Sequence, residues 1–166
     1  MTPGDGTVWY FAYGSNLAPG TFTGRRGITP LDAHAGWLDD FSLCFDLPVG
    51  PGERGVANVL ACPGSRIWGV TYRITVADAE LLDRTEGVDR GYYSRAAVTV
   101  RRPPSAEPLE AFTYQSPHGV AGRKPSARYL GIILEGARHH ALPAEWVSYL
   151  EALELAVDER LTAIKA

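Results

Sequence analysis

The 166-residue sequence is short of the features that fix a function at a glance. It holds two cysteines, Cys44 and Cys62, and a single methionine. Two cysteines cannot staple a disulfide framework, and they read as free thiols in a reducing cytoplasm. No apolar run approaches the roughly 18 residues that a membrane helix needs, so no membrane partner is expected. The opening MTPGDGTVWY lacks a basic stretch followed by an apolar one and does not read as a signal peptide. A net charge of −3 implies no polyanion, hence no nucleic-acid partner, and the pairs Arg25–Arg26 and Arg101–Arg102 read as solvated surface.

Signatures of the commoner chemistries are missing too. His34, His118, His139 and His140 do not fall at HExxH spacing, no CxxC occurs, and two adjacent histidines on a helix cannot face one ion. No metal is therefore expected. The phosphate cradles GxxxxGK[ST] and GxGxxG are also absent. Ser15 lies in Y-G-S-N rather than in G-x-S-x-G. A Ser-His-Asp triad could be drawn through His34 and Asp32, but nothing in the sequence sets its geometry.

What is present is an ordinary globular composition, 45% hydrophobic and 21% charged, on a length that suits one domain over residues 1–166. Residues 8–13 read as an aromatic-rich strand. After Asp40, Phe41, Leu43 and Phe45 alternate onto one face. VANVLAC (56–62) and IWGVTYRI (67–74) flank Pro63-Gly64-Ser65-Arg66, the signal of a hairpin. Residues 75–87 form a helix capped by Thr75, with Asp78 at the capping-box position and Gly87 as its stop. Residues 92–100 and 109–115 are a second strand pair. Ser126 caps a helix over 125–140. A last helix starts near Pro143, with Trp146, Leu150, Leu153, Val157 and Leu161 on one core-facing stripe. Strands do not alternate with helices, which predicts an α+β fold: a largely antiparallel sheet or small barrel with helices outside.

Two stretches carry chemistry. Continuing the inner face of the 75–86 helix from Ala79 and Leu82 by three and four residues lands on Glu86, so a carboxyl group occupies a core-side position. It also sits at a helix C-terminus, where the macrodipole opposes negative charge. Both effects raise its pKa and suit it to take up and return a proton. Spacing alone fits equally a Glu86 that reaches solvent or pairs with Arg84 or Arg90. The other stretch is YFAYGSNLAPG, where a strand runs into Gly14, Ser15 and Asn16. Successive amides in such a turn can cradle an anion or a developing oxyanion. Taken alone, it is also a plain turn.

Taken together, YFAYGSNL (10–17), DFSLCF (40–45), GVANVLACPGSRIWGVTYRI (55–74), EGVDRGYY (86–93), PSARYLGIILEGA (125–137) and LPAEWVSYLEALE (142–154) resemble the γ-glutamylcyclotransferase family, including its AIG2-like members. The resemblance covers about residues 8–154. It implies a small mixed β-barrel flanked by helices, with no cofactor or metal. It implies that Glu86 is the acid/base and that the segment Tyr10, Phe11, Ala12, Tyr13, Gly14, Ser15, Asn16 and Leu17 holds the glutamyl moiety. Tyr93 and Tyr129 match tyrosines of the family's pocket. The implied reaction closes a γ-glutamyl amide to 5-oxoproline and frees an amine or amino acid. Its partner is then a small γ-glutamyl molecule: an amino-acid amide, a γ-glutamylamine such as γ-glutamyl-ε-lysine, or a protected biosynthetic intermediate. A non-catalytic binding module is the reading of another class. A homodimer is left open. SPHGVAGRK (116–124) has no family pattern and is expected to border the leaving-group side.

Overall fold

The computed structural model describes residues 6–157. Its five strands are β1 (Thr7–Ala12), β2 (Asp32–Pro48), β3 (Gly55–Thr75), β4 (Ser94–Arg102) and β5 (Glu107–Gln115), and its helices are α1 (Val76–Thr85), α2 (Ala127–His139) and α3 (Ala144–Glu151). The strands close into a barrel in the order β1-β3-β2-β4-β5. All pairings are antiparallel except β1 against β5, which meet in parallel where Tyr10 faces Phe112. This is the expected mixed, mostly antiparallel barrel carrying helices outside. Thr113 Oγ1 seals the parallel seam by donating to the Phe11 carbonyl at 2.8 Å.

The expected hairpin at Pro63-Gly64 is not there. β3 is one strand of 21 residues and stays antiparallel to β2 on both sides of the proline. The ladder steps from Arg66 opposite Asp39 to Ala61 opposite Phe41, so Cys62–Ser65 and Asp40 drop out of register. Asp40 takes a left-handed φ of 66°, and its carboxylate accepts the Gly64 amide at 3.0 Å. Proline without an N–H and a left-handed glycine suit a bulge as well as a turn, and here they bend a continuous strand. The alternation after Asp40 is as expected: Leu43 and Phe45 are buried and Phe41 packs against the same core.

Thr75 Oγ1 accepts the Asp78 amide at 3.0 Å and starts α1, while Gly87 at φ 71° ends it. Ser126 Oγ likewise accepts the Tyr129 amide at 3.1 Å and starts α2. The last helix is shorter than its apolar stripe. Trp146 and Leu150 are buried on it, but α3 stops at Glu151, Val157 is exposed, and Leu161 lies outside the described residues. Beyond Glu151 the Ala156 amide donates to the Pro125 carbonyl and the Val157 amide to Glu53, which hold the chain extended against another loop. Helix-forming residues alone give no sign of that competing set of bonds. Among the described residues no helix is long and apolar enough to cross a membrane.

One contact couples the helices to the end of β1. α2 lays Gly136 directly on the backbone of Leu17 and Ala18, where a Cβ would fall on the Leu17 carbonyl carbon and the Ala18 nitrogen. Gly136→Ala is therefore expected to cost about 1–3 kcal/mol of unfolding free energy through overpacking. Gly131, on the same helix with open space around it, should gain up to about 1 kcal/mol on the same change. Urea midpoints at unchanged slope check both.

Candidate active site

β1 brings Tyr10 to the cleft, and the chain then leaves the sheet through a 3₁₀ turn at Ser15–Leu17. The turn's first internal bonds run from Leu17 N to Gly14 O and from Ala18 N to Ser15 O. The Ser15 and Asn16 amides precede that first turn and are not consumed by it, which is the general state of helix-start N–H groups, though the Ser15 backbone also meets the Tyr129 hydroxyl. α1, running from the far end of β3, brings Glu86 to the same place. Its side chain retains 13% of its exposure.

Asn16 joins the two. Its Nδ2 donates to Glu86 Oε1 at 3.0 Å and to Tyr10 Oη at 2.9 Å, and its Oδ1 accepts Arg26 Nε at 3.2 Å. Arg26 Nη2 also lies 3.5 Å from Glu86 Oε1. Both polar partners of Glu86 thus meet Oε1. The Asn16 carbonyl is fixed from behind by Tyr72 Oη, which donates at 2.8 Å, and His140 Nε2 lies 3.1 Å from that hydroxyl.

Burial holds the Glu86 carboxyl above the ordinary glutamate range, against the opposing pull of Arg26 and of the Asn16 hydrogen bond. Desolvation disfavours the charged form and wins here because one cation at 3.5 Å and one amide do not replace a full hydration shell.

A cleft of about 310 Å³, counting space open to solvent, is lined by Tyr10, Tyr13, Gly14, Ser15, Asn16 and Glu86, with Ala57, Tyr93, Tyr114 and Tyr129 opposite. The structure thus brings together eight of the eleven residues singled out in the sequence: Tyr10, Tyr13, Gly14, Ser15, Asn16, Tyr93 and Tyr129, around Glu86. Phe11, Ala12 and Leu17 differ: each is fully buried in the core, and none lines this cleft. Strand alternation sends Phe11 inward, and Leu17 lies under α2. Of the two adjacent tyrosines, Tyr93 lines the cleft, while Tyr92 is 54% exposed and does not.

The cleft's far wall depends on a second irregularity in β3. Between Cys44–Asn58 and Leu47–Val56 the register shifts, which singles out Ala57. Its backbone N–H donates to Tyr129 Oη at 3.1 Å and its carbonyl accepts Tyr93 Oη at 2.7 Å. Tyr13 Oη donates to the Tyr114 carbonyl at 2.6 Å, and Tyr114 Oη to Asp83 at 2.6 Å. Burial pushes all these phenols up, Tyr129 to about 12, so they remain protonated donors.

Three residues escaped the sequence reading. Arg26 was placed on the solvated surface, yet it reaches Glu86; the helical turn at Gly20–Arg25 curls it back, and no periodicity signals that. Ala57 acts through its backbone and has no side-chain signature. Tyr114 stood unremarked in a strand whose register was not fixed. Loop 116–124 lines neither this cleft nor the outer one that adjoins it. It is stitched instead to the strand ends, with Val120 N on the Asp46 carbonyl and His118 Nε2 2.8 Å from the Gly91 carbonyl. His34 and Asp32 do pair at 3.0 Å, but both are exposed and away from Ser15's cleft. Among the described residues no group of His, Cys, Asp and Glu side chains comes together as a metal-binding set.

The Glu86 titration midpoint, followed by carboxyl ¹³C chemical shift, is expected above the usual value of about 4.3. Arg26→Met removes an influence that lowers it, so the midpoint should move further up; a downward move would refute this electrostatic account.

Comparison with known proteins agrees with this geometry. The sequence profile of the AIG2-like family matches residues 66–150. The γ-glutamylcyclotransferase of Bos taurus is 32% identical over 87% of this chain and 78% of its own, and that of Homo sapiens is 31% identical over 92% and 81%. A solved structure of a γ-glutamyl cyclotransferase superposes with a TM-score of 0.79 at 27% identity, covering 96% of this chain and 98% of the other. A carboxyl raised by burial, an amide cradle at the end of β1 and a tyrosine-lined cleft therefore sit on a known scaffold, and the chain belongs to the γ-glutamylcyclotransferase-like, or AIG2-like, family.

Proposed function

We propose that the protein is a γ-glutamylcyclotransferase, converting a γ-glutamyl amide to 5-oxoproline and a free amine by intramolecular aminolysis. The observation that carries this reading is the position of Glu86: a mostly buried carboxyl of raised pKa, tied by Asn16 to the amide-bearing loop and facing the same cleft.

The substrate supplies its own nucleophile. With the glutamyl chain folded, the α-nitrogen reaches the γ-carbonyl carbon and closes a five-membered ring, a geometry whose effective molarity can reach about 10⁵ M. Glu86 takes a proton from the α-ammonium, and the freed amine adds to the γ-carbonyl. The tetrahedral oxyanion collapses, the bond from the γ-carbon to the leaving nitrogen breaks, and Glu86 returns the proton to that nitrogen. In all, two protons leave the α-nitrogen and two reach the departing one, which leaves as an ammonium; Glu86 relays them one at a time. A carboxyl with a pKa moved toward neutrality suits both directions. The Ser15 and Asn16 amides take a negative oxygen of the substrate, either the α-carboxylate or the oxyanion. The tyrosine hydroxyls give the folded glutamyl chain a wall of neutral donors. Cys44 and Cys62 are both free thiols, which supports work in a reducing compartment such as the cytoplasm.

Glu86→Gln is expected to lower kcat for γ-glutamyl-alanine by about 10²–10⁴-fold, measured as 5-oxoproline released. Substrate should still raise the thermal midpoint of that variant; wild-type-like turnover would remove Glu86 from its role. The fold should survive the change. A carboxyl whose folded pKa lies above its unfolded one contributes stability below the unfolded value and loses it as pH rises through the folded value. At neutral pH the uncharged amide should therefore unfold at no lower urea concentration than the native side chain. If the native protein is stabilised by substrate without forming 5-oxoproline, it is a binding module instead.

A further inference from the structure

A second cleft opens outward from the first, about 720 Å³ on the same measure, and shares Ser15, Glu86, Tyr93 and Tyr129 with it. Glu86 stands at the seam. Since it must reach the nitrogen that departs, the scissile bond lies at that seam, with the glutamyl part on one side and the leaving group on the other. The inner cleft is the smaller and is walled by tyrosines and loop amides. The outer one is larger, is bordered by the exposed Arg25 and Arg128, and has room for a departing amine.

The two differ in charge. The inner cleft has no cationic residue in its lining. The outer one has Arg25, Arg26 and Arg128 against the single carboxyl of Glu86. Arg26 is engaged by Glu86 and Asn16. Arg25, at the end of the Gly20–Arg25 turn, and Arg128, in the first turn of α2, are exposed and make no ion pair or hydrogen bond among the described residues. In a chain of net charge −3, two uncompensated arginines from separate elements converge on the exit side of the reacting bond.

Resting on the cyclotransferase reading, we infer that the outer cleft selects leaving groups by negative charge. Arg25 and Arg128 bind their carboxylates, and amides of acidic amino acids, which carry two carboxylates, are turned over in preference to amides of neutral or cationic amines. The planar guanidinium suits a carboxylate, and two of them match a dicarboxylate. The leaving group's carboxylates keep their charge throughout the reaction, so the arginines act on binding and not on bond breaking.

The test compares kcat/KM for γ-glutamyl-glutamate, γ-glutamyl-alanine and γ-glutamyl-propylamine, in that expected order. Partly exposed pairs are each good for up to about fivefold, so the first should exceed the last by roughly tenfold or more. Added salt should compress the ratio. Arg25→Ala and Arg128→Ala should each shrink the ratio by about threefold to fivefold, mainly through KM. A flat order in the native protein, or variants that slow all three substrates alike, overturns the inference; the second result would mean that the arginines hold the glutamyl moiety's own carboxylate or merely support the fold. If no substrate yields 5-oxoproline, the cyclotransferase reading fails, and the charge preference is then judged from thermal shifts with the same three compounds: a preference for the dicarboxylate lost in both variants supports it, and equal shifts overturn it.

Discussion

One primary amide organises the site. The Asn16 side chain bonds Tyr10, Glu86 and Arg26 at once, and these groups come from the first strand, the C-terminal end of α1 and the turn after the cradle. Hydrogen bonds to charged groups contribute about 1.5–3 kcal/mol each in net terms, and a primary amide can make them only in fixed directions. Asn16 therefore sets distance and orientation together. The loop that offers its amides cannot shift without moving the carboxyl, and the carboxyl cannot turn outward without taking a partner from the buried Asn16 amide.

Around that amide, opposing electrostatic effects leave Glu86 in a useful range. Arg26 at 3.5 Å would by itself keep it firmly ionised. Burial does the reverse and is the larger influence. Neither extreme would serve the proposed acceptance and release of a proton. The surrounding phenols all stay protonated, so Glu86 is the one carboxyl of the inner cleft's lining. Arg26 has two duties in this arrangement: it moderates the carboxyl and it fixes the orientation of the Asn16 amide through Oδ1.

Much of this was legible in the residues. Thr75 and Gly87 bound α1 where their chemistry said they would, and that alone turns Glu86 inward. The barrel and its flanking helices were implied by the family resemblance and by the unalternated order of strands. What was hidden lies in tertiary competition. Pro63-Gly64 is the same signal in a turn and in a bulge, and only the partner strand decides. α3 ends where the following amides find Pro125 and Glu53, although its sequence would continue. Arg26 and Ala57 were invisible for different reasons: one is a surface residue type brought inward by a coiled turn, and the other contributes only backbone. Phe11, Ala12 and Leu17 belonged to the right segment, but their side chains face the core.

The glycine of α2 that rests on Leu17 and Ala18 makes the cradle part of the helix's footing. Loops that bind ligands are commonly drawn from the least stable parts of a fold. Here the amide-bearing turn lies beneath a 13-residue helix with no side chain to act as a spacer. Opening the turn therefore means lifting α2, and its fluctuations are tied to the larger cooperative unit rather than to the loop. The site is stiff where the glutamyl moiety would sit and exposed at Arg25 and Arg128. Substitutions at Arg25 and Arg128 are thus free of packing constraint, while the proposed glutamyl cradle is as constrained as the core itself.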